Sequence, residues 1–239
     1  MINGKIHSIE TMGAVDGPGI RTVVFMQGCK LRCIYCHNPD TWAMSSDSAI
    51  TMTPNKLLSF IVRYKQYYGT LGGVTFSGGE PLLQADFLIE TLRLCKKENI
   101  NTCLDTAGFG IGKYEEILEL TDLVLLDIKH YDEQTYKKIT GQNINETERF
   151  IKILTKWQTP VWLRHVVVPG LTDDKNHLDT IEKSYLDSLN VQRIEFLPYH
   201  TLGVSKYAKM GLEYPLKGVQ AMPSDFLNER NMRLRNIIN

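Results

Sequence analysis

Short apolar runs alternate with longer amphipathic segments along almost the whole chain, and this alternation strongly constrains the fold. The runs have the composition of buried strands, and the segments between them repeat apolar residues at helical spacing. Repeats of strand, helix and strand form parallel sheets. The six runs are Arg21–Gln27, Gly73–Phe76, Asn101–Asp105, Leu123–Ile128, Val161–Val168 and Arg193–Leu197. Since a closed barrel needs eight such units, we predict an α/β fold with a partial (β/α)6 TIM-like barrel.

Helical patterns lie between or after these runs, and a further strand precedes them. The helical segments are Thr53–Tyr67, Leu82–Glu98, Tyr114–Leu120, Glu133–Ile139, Glu146–Trp157, Asp174–Leu189 and Asp225–Ile238. Thr53 followed by Pro54 is typical of a helix N-terminus. Gly4–Thr11 predicts an additional N-terminal edge strand. We expect one domain over residues 1–239, with the barrel at about 15–200 and a C-terminal segment at about 201–239 packing on it.

Polar residues fall at the C-terminal ends of the predicted strands, where barrels of this kind place their active sites. They are a cysteine-rich loop after the first run, Ser77-Gly78-Gly79-Glu80 after the second, Asp105-Thr106 at the third, Asp127-Ile128-Lys129 at the fourth, Arg164 in the fifth and His200 after the sixth. We therefore predict one site at that end of the barrel.

The cysteine-rich loop contains Cys29, Cys33 and Cys36 in a C-x3-C-x2-C spacing. With 5 cysteines in 239 residues, three within eight positions is an improbable accident. Three thiolates this close can bind three irons of a [4Fe–4S] cluster and leave the fourth iron open to a non-protein ligand. A zinc site would need a fourth ligand, and His37 directly follows Cys36, from where it would rarely reach the same metal. Inert thiols are the remaining alternative.

The Ser77-Gly78-Gly79-Glu80 stretch allows two interpretations. Gly78 and Gly79 permit close approach of the backbone to a ligand, and their carbonyls can accept hydrogen bonds from an ammonium group. Glu80 precedes a proline at a helix start and could pair with a positive charge on that ligand. The alternative is an ordinary turn between strand and helix.

Asp105 and Asp127 end two adjacent apolar strands, where a carboxylate is costly without a partner. Together with the Thr106 hydroxyl they could hold a small oxygen-liganded cation. Lys129 lies two residues after Asp127, leans the same way and could meet a substrate carboxylate. The alternative is a structural Asp–Lys pair, with Asp105 as a helix cap.

Arg164 interrupts a predicted central strand, and a charge there favours a polar cavity. His165 would face the opposite side of that strand, and we expect a structural role for it. Asp16 belongs to a Gly-Pro-Gly turn before the first barrel strand, and composition leaves open whether it forms the turn or serves a site. His37 and His200 are each weak indications when taken alone.

Composition limits the partners and the compartment. Lys+Arg 27 balances Asp+Glu 27, so we do not expect nucleic acid or an anionic membrane as the main partner. The N-terminus lacks the apolar core of a signal peptide, and no stretch is long enough to span a membrane, so we expect a cytoplasmic protein. A disulfide framework conflicts with this compartment and with an odd number of cysteines. Cys95 and Cys103 lie in a helical and a strand pattern, and we expect both in the core.

The combination of motifs resembles one family. The cysteine triplet followed by a G-G-E after the next strand is similar to the radical S-adenosylmethionine (SAM) superfamily. A further set resembles its branch of pyruvate formate-lyase activating enzymes: D-G-P-G-I-R at 16–21, C-H-N at 36–38, S-G-G-E at 77–80, L-D-T at 104–106, L-L-D-I-K at 125–129, W-L-R at 162–164, V-V-V-P-G at 166–170 and L-P-Y-H at 197–200. The resemblance extends from Gly4 to about Gly218.

The resemblance implies a [4Fe–4S] cluster whose open iron binds SAM, and a monovalent cation nearby. It implies the following roles: Cys29, Cys33 and Cys36 bind the cluster; Gly78, Gly79, Glu80, Lys129, His200 and Tyr35 bind SAM; Asp105, Thr106 and Asp127 bind the cation; and Asp16, His37 and Arg164 line the mouth where a glycine loop enters.

The activity implied by the resemblance is reductive cleavage of SAM, followed by removal of a hydrogen from a backbone glycine of pyruvate formate-lyase in anaerobic glucose metabolism. It also implies a one-electron donor such as flavodoxin or ferredoxin, and we expect a monomer. One alternative is activation of another glycyl radical enzyme, although the chain has no cysteine-rich insert after Cys36. From a different class, a non-catalytic iron–sulfur or zinc scaffold is the other alternative.

Overall fold

An eight-stranded sheet forms the centre of the fold in the computed structural model, which describes residues 2–223 and 225–238. The strands are β1 Gly4–Gly13, β2 Arg21–Met26, β3 Ile50–Met52, β4 Gly73–Gly78, β5 Asn101–Thr106, β6 Leu123–Asp127, β7 Val161–Val167 and β8 Val191–Pro198. Their order in the sheet is β3-β1-β2-β4-β5-β6-β7-β8. From β2 to β8 every neighbouring pair is parallel, which confirms the predicted partial barrel of six parallel strands.

Helices follow the strands as predicted, with differences at their ends. They are α1 Pro54–Val62, α2 Ala85–Lys97, α3 Tyr114–Glu119, α4 Glu133–Thr140, α5 Asn145–Trp157, α6 Lys175–Leu186, α7 Val204–Lys209 and α8 Asn228–Ile238. Thr53 is the N-cap of α1, since its hydroxyl accepts a hydrogen bond from the Lys56 amide at 3.3 Å. The helical pattern from Leu82 begins as a 3-10 turn before α2. The sequence patterns did not predict α7 or the short β3.

Alternation along the strands separates an apolar core from a polar face. Leu104, Leu126 and Leu163 are fully buried and belong to the large core between the sheet and the helices. The intervening residues of the same strands face the other side, away from the helices. Asp127 and Arg164 lie opposite each other there, at the end of the β6–β7 ladder. The sheet therefore presents charged residues on the inner face of the partial barrel.

Both edges of the sheet are partly covered. β1 pairs antiparallel with β2, as expected of an additional N-terminal strand, but β3 pairs with its first three residues, so β1 is the edge strand only beyond Ile6. At the other edge, the Asn231 side chain of α8 accepts a hydrogen bond from the Phe196 amide and donates one to the Phe196 carbonyl, both at 3.0 Å. This pair of bonds occupies a backbone position on β8 that would otherwise be open to another strand.

Arg21 closes the end of the barrel where the parallel strands begin. Its side chain is fully buried, and it donates to the Thr75 hydroxyl at 2.7 Å, the Pro18 carbonyl at 3.0 Å and the Asn101 side chain at 2.9 Å. These bonds connect the start of β2, β4 and β5 to the turn before β2. Within the described residues, no helix combines the length and the apolar character needed to cross a membrane.

Candidate active site

A cavity of about 390 Å3 lies at the C-terminal ends of the parallel strands. All the site residues predicted from the sequence line it except Asp16. The volume falls within the range of roughly 300–1,000 Å3 that is usual for small-molecule sites. The predicted side chains thus come together from six strands and their following loops, as expected for the C-terminal end of a barrel.

The cysteine loop is anchored on both sides. The Gly28 amide donates to the Thr41 carbonyl at 2.8 Å, before the first cysteine. Further along, the Arg32 amide donates to the Thr140 carbonyl at 2.7 Å, which attaches the loop to the end of α4. Cys29, Cys33 and Cys36 all line the cavity from this loop.

The three thiols are in an environment that disfavours isolated thiolates. Burial raises the pKa of Cys33 to about 12 and also raises the pKa of Cys29 and Cys36. A nearby cationic group, such as iron, is therefore needed to keep all three deprotonated. In the part of the chain that the structure describes, no three Cys, His, Asp or Glu side chains converge as ligands of a single ion would. Since a cubane offers each thiolate its own iron, the donor set fits a cluster.

The glycine turn after β4 packs against the start of the cysteine loop. The Gly79 amide donates to the Met26 carbonyl at 2.9 Å, and the Glu80 amide donates to the Gly28 carbonyl at 2.9 Å. Gly78 has a φ of +100°, and a Cβ on Gly79 would overlap the Gly28 carbonyl oxygen. The backbone therefore forms a tight turn here, and it approaches closely the loop that carries the cysteines.

Glu80 is 2% exposed, and both its carboxylate oxygens accept hydrogen bonds. Thr106 donates to Oε1 at 2.5 Å, the Leu82 amide to Oε1 at 3.2 Å and the Ala107 amide to Oε2 at 3.0 Å. Burial raises the pKa of Glu80 to about 7, although the three hydrogen bonds oppose this. The carboxylate is thus rigidly held at the cavity wall, and an additional cation beside it would favour the charged form.

Arg164 and Asp105 form an ion pair on the inner face of the barrel. Asp105 also accepts a hydrogen bond from Ser77 at 2.7 Å, so both its oxygens have partners. Burial lowers the pKa of Arg164, but Asp105 and the neighbouring carboxylates outweigh it, and the net pKa is raised. Asp16 lies outside the cavity wall, where its backbone carbonyl accepts from Thr75 at 2.6 Å. Burial and then Asp105 raise its pKa, while Arg164 lowers it.

Lys129 and Asp127 form a second ion pair, at 2.7 Å. Burial by itself lowers the pKa of Lys129. The attraction of Asp127 and of other nearby groups outweighs this effect, so the pKa is held well above its usual value. The Lys129 ammonium lies 5.5 Å from the ring centre of Tyr35. The second oxygen of Asp127 is buried and has no hydrogen-bond partner among the residues that the structure describes. Of the three predicted cation ligands, Asp127 therefore has a free oxygen, whereas the Thr106 hydroxyl donates to Glu80.

His37 and His200 stack on each other at the mouth of the cavity. Their ring centres are 3.9 Å apart, and the Nε2 of His37 lies 3.2 Å from the His200 carbonyl oxygen. Burial lowers the pKa of both rings, and their mutual repulsion lowers that of His37 further. Gly203 permits this approach, since a Cβ there would lie 2.7 Å from the His37 Cα. Burial and stacking therefore both disfavour a charge on these rings.

Several buried polar atoms on the cavity wall have no hydrogen-bond partner in the described chain. They are the Tyr35 hydroxyl, Oδ1 of Asp127, Nε of Arg164 and Nδ1 of His200. An unsatisfied buried polar atom costs about 1–3 kcal/mol, so four around one cavity favour a polar ligand that would satisfy them. Donors and acceptors are both present, which fits a ligand that carries positive and negative groups, such as SAM.

Some residues of the site had no role assigned from the sequence. Ser77 and Asn38 belong to the quoted motifs, and both line the cavity: Ser77 binds Asp105, and the Asn38 amide donates to the Cys36 sulfur at 3.4 Å. Their positions within these motifs were the only indication in the sequence that they belong to the site. His165 faces the helices, as predicted, and there it meets His177 from α6, a contact that no sequence pattern indicated.

Comparisons with known proteins show which family this chain resembles. The model of the radical SAM superfamily matches residues 23–181. The pyruvate formate-lyase-activating enzyme of Clostridium pasteurianum is 53% identical over 226 residues, which cover 94% of this chain and 94% of that protein. The enzyme of the same name from Streptococcus mutans is 45% identical over 231 residues, covering 94% and 88%.

A solved structure supports the architecture. It is a domain of pyruvate-formate lyase-activating enzyme from Bacteroides vulgatus, with a TM-score of 0.53 and 24% identity, and the match covers 70% of this chain and 94% of that one. At this identity the likeness concerns the fold. The sequence relatives, by contrast, match over nearly their whole length.

Proposed function

This chain belongs to the radical SAM superfamily and, within it, to the pyruvate formate-lyase-activating enzymes, and on that premise we propose how its residues perform the reaction. The activity is reductive cleavage of SAM with a [4Fe–4S] cluster and formation of a glycyl radical on pyruvate formate-lyase. The observation that supports the residue roles is that the three cysteines share one cavity with the unpartnered polar atoms.

Cys29, Cys33 and Cys36 would hold the cluster and leave one iron available to SAM. When bound, the cluster would supply the electron for reductive cleavage of SAM to methionine and 5′-deoxyadenosine, the latter taking up the hydrogen removed from the glycine. The anchored loop places the thiols without a costly rearrangement on loading, because both its flanks are already hydrogen-bonded. Iron binding also supplies the positive charge that the buried thiolates require.

Gly79, Glu80 and Lys129 orient SAM in this proposal. The Glu80 carboxylate, held by Thr106 and two amides, attracts the SAM ammonium, and the Lys129 ammonium attracts the SAM carboxylate. Tyr35 and His200 contribute a hydroxyl and a ring nitrogen that have no hydrogen-bond partner among the described residues. The turn at Gly78 and Gly79 lies against the cysteine loop and offers its backbone carbonyls to the SAM ammonium in this proposal. The ligand thus meets groups of opposite charge that are already fixed, which reduces the entropy lost on binding.

The substrate side lies on the inner face of the barrel. We assign Arg164, His37 and Asp16 to the region where the glycine loop enters, with Arg164 held by Asp105 and His37 held by its stack on His200. Rigid placement is needed because a primary carbon radical attacks most C–H bonds, so the target glycine must be the one nearest to it.

We further propose that Asp105, Thr106 and Asp127 bind a monovalent cation next to SAM. Binding requires local rearrangement, since in this structure Asp105 holds Arg164 and Thr106 holds Glu80. We also propose a one-electron donor such as flavodoxin or ferredoxin, and a monomer of one domain over residues 1–239. The proposed setting is anaerobic glucose metabolism in the cytoplasm, a compartment in which thiols stay reduced.

The deciding experiment is paramagnetic resonance of the reconstituted, reduced protein under anaerobic conditions, with SAM and pyruvate formate-lyase. We expect a glycyl radical doublet on the partner. Cys29→Ala, Cys33→Ala and Cys36→Ala should each abolish both the doublet and SAM cleavage. Cys95→Ala is the matched control, because Cys95 is buried in the core away from the cavity, and this variant should keep its cluster.

Two results would contradict parts of this proposal. A triplet variant that retains its cluster and near-normal SAM cleavage would refute the cluster assignment. SAM cleavage without a doublet on pyruvate formate-lyase would keep the cluster chemistry and redirect the search to another glycyl radical enzyme.

A further inference from the structure

The segment that carries Asp127 and Lys129 is joined to β7 beyond the end of the strand ladder, by one backbone and one side-chain hydrogen bond. The ladder between β6 and β7 ends at the pair Asp127–Arg164, and the next amide, Ile128, still donates to the Arg164 carbonyl at 2.9 Å. The Ile128 carbonyl accepts a hydrogen bond from Nδ1 of the His165 side chain at 2.7 Å. A side chain thus takes the position that the next backbone amide of a neighbouring strand would have in a longer ladder.

The hydrogen bonds determine which ring nitrogens of His165 and His177 carry hydrogen. A carbonyl oxygen only accepts, so Nδ1 of His165 carries the hydrogen, and Nε2 of the same neutral ring is the acceptor. Nε2 of His177 lies 3.1 Å from Nε2 of His165 and must therefore be the donor. The result is a directed chain from His177 through His165 to the Ile128 carbonyl.

His177 also contacts the residues that follow Lys129. Its ring stacks on His130 with 4.4 Å between centres and on Tyr131 with 5.3 Å. His130 in turn accepts a hydrogen bond from the Asp132 amide at 2.9 Å. His177 is placed by the first turn of α6, where its own amide donates to the Asp174 side chain at 3.1 Å. His177 therefore packs on the segment after Lys129. Through His165, it also supports the hydrogen bond to the Ile128 carbonyl, which lies before Lys129.

Burial keeps these rings neutral, as the chain of hydrogen bonds requires. His165 is 1% exposed and His177 is 7% exposed. Burial lowers the pKa of His165 to about 3 and that of His177 to about 4, and the neighbouring imidazoles contribute to both. A neutral pair has the two distinct nitrogens that the arrangement uses, whereas a second proton on His165 would remove its acceptor.

We propose that His165 and His177 are positioning residues that fix the Asp127-Ile128-Lys129 segment at the cofactor cavity. They do not touch the cavity themselves, and they act through the Ile128 backbone. With both polar groups of Ile128 held by β7, Asp127 and Lys129 on either side of it are aimed at the cavity from one rigid point. This inference rests on the proposed role of Lys129 in binding SAM.

The test combines two readouts on the cluster-loaded, full-length protein. One is hydrogen exchange of the peptide covering residues 127–131, measured without SAM, and the other is the dissociation constant for SAM. His165→Leu removes the donor to Ile128, whereas in His165→Asn the amide nitrogen can reach the position of Nδ1 and retain it. Val167→Ala is the matched control, since Val167 lies on the same strand and face, is fully buried and contacts apolar core.

We expect His165→Leu to speed exchange in residues 127–131 by about tenfold. It should weaken SAM binding by at least about tenfold at an unchanged iron content, in line with the effect of removing groups that orient a ligand-binding residue. His165→Asn should restore both, and Val167→Ala should change neither. If His165→Leu fails to fold, His177→Phe keeps the stacking and removes the hydrogen bond, and it should shift both readouts in the same direction.

Unchanged exchange and affinity in His165→Leu, or equal changes in Val167→Ala, would overturn the inference. If the wild-type protein loads its cluster but does not bind SAM, the proposed function fails, and the exchange readout still decides whether the imidazoles hold the segment.

Discussion

Replacing Glu80 by glutamine isolates one buried ionisation from all others in the protein. The carboxylate is almost fully buried and accepts three hydrogen bonds, yet burial raises its pKa from an ordinary 4.5 to about 7. Glutamine has nearly the same shape and cannot ionise. The difference between wild type and Glu80→Gln therefore reports the ionisation of Glu80, since every other group is common to both.

The expected magnitude follows from the two pKa values. Between pH 4.5 and about 7 the folded chain retains a proton on Glu80 that the unfolded chain releases. The stability that this proton confers is fully present below the unfolded pKa and is lost as the pH rises through the folded pKa. A difference of about 2.5 in pKa corresponds to about 3 kcal/mol. Wild type should therefore lose about 3 kcal/mol relative to Glu80→Gln as the pH rises from 4.5 to 8.

Urea unfolding of the metal-free, full-length protein, followed by tryptophan fluorescence between pH 4.5 and 8, measures this difference. A constant offset of about 1–3 kcal/mol is also expected, because the glutamine amide cannot accept all three hydrogen bonds. Thr106→Val is a useful second variant: it removes one bond that lowers the pKa of Glu80 and should extend the loss to higher pH. A flat difference, or one in which wild type gains stability with rising pH, would show that the hydrogen bonds outweigh burial and would refute the reasoning.

Other substitutions test the ion pair, the glycine turn and the closed end of the barrel. Arg164→Ala leaves the buried Asp105 without its cation and should cost about 3–5 kcal/mol in urea unfolding. It should reduce glycyl radical formation more than SAM cleavage without the partner, and equal losses would contradict the assignment of Arg164 to the substrate side. Gly79→Ala forces a methyl group against the Gly28 carbonyl and should lower stability by about 1–3 kcal/mol, so an unchanged melting temperature would contradict the tight packing. Arg21→Met should cost about 3 kcal/mol or more, because it leaves buried carbonyls unpaired, and a urea midpoint equal to that of wild type would show that these bonds contribute nothing.

The sequence predicted most of the residues that line the cavity, because strand ends are a local property. Apolar runs predict strands, and parallel strands all end at the same edge, so a polar residue after a run is assigned to that edge without any knowledge of its neighbours. Asp127 and Lys129 could be placed on the same side in this way, and their ion pair confirms it. Asp16 precedes its strand, so the rule did not apply to it, and it lies outside the cavity wall.

Conformation at single residues was also readable where the chemistry is local. Thr53 caps α1 through its own hydroxyl, and the Gly78-Gly79 pair forms the turn that its lack of side chains permits. The weak elements were missed, because β3 has three residues and depends on pairing with β1, whereas α7 is a six-residue helix that packs on the cysteine loop through Tyr207. Their stability comes from contacts with distant segments, which short patterns do not report.

What the sequence by itself determined is the order of the six parallel strands and the main helices, the face that residues of those strands take and most of the groups available at the cavity. Only the tertiary structure decided which groups pair: Arg164 with Asp105, Glu80 with Thr106, and His177 with His165. The physical reason is that the spacing of apolar residues within one segment indicates which face of that segment is buried. A hydrogen bond or an ion pair depends on the distance between atoms of different segments, and that distance is set only when the strands register and the helices pack.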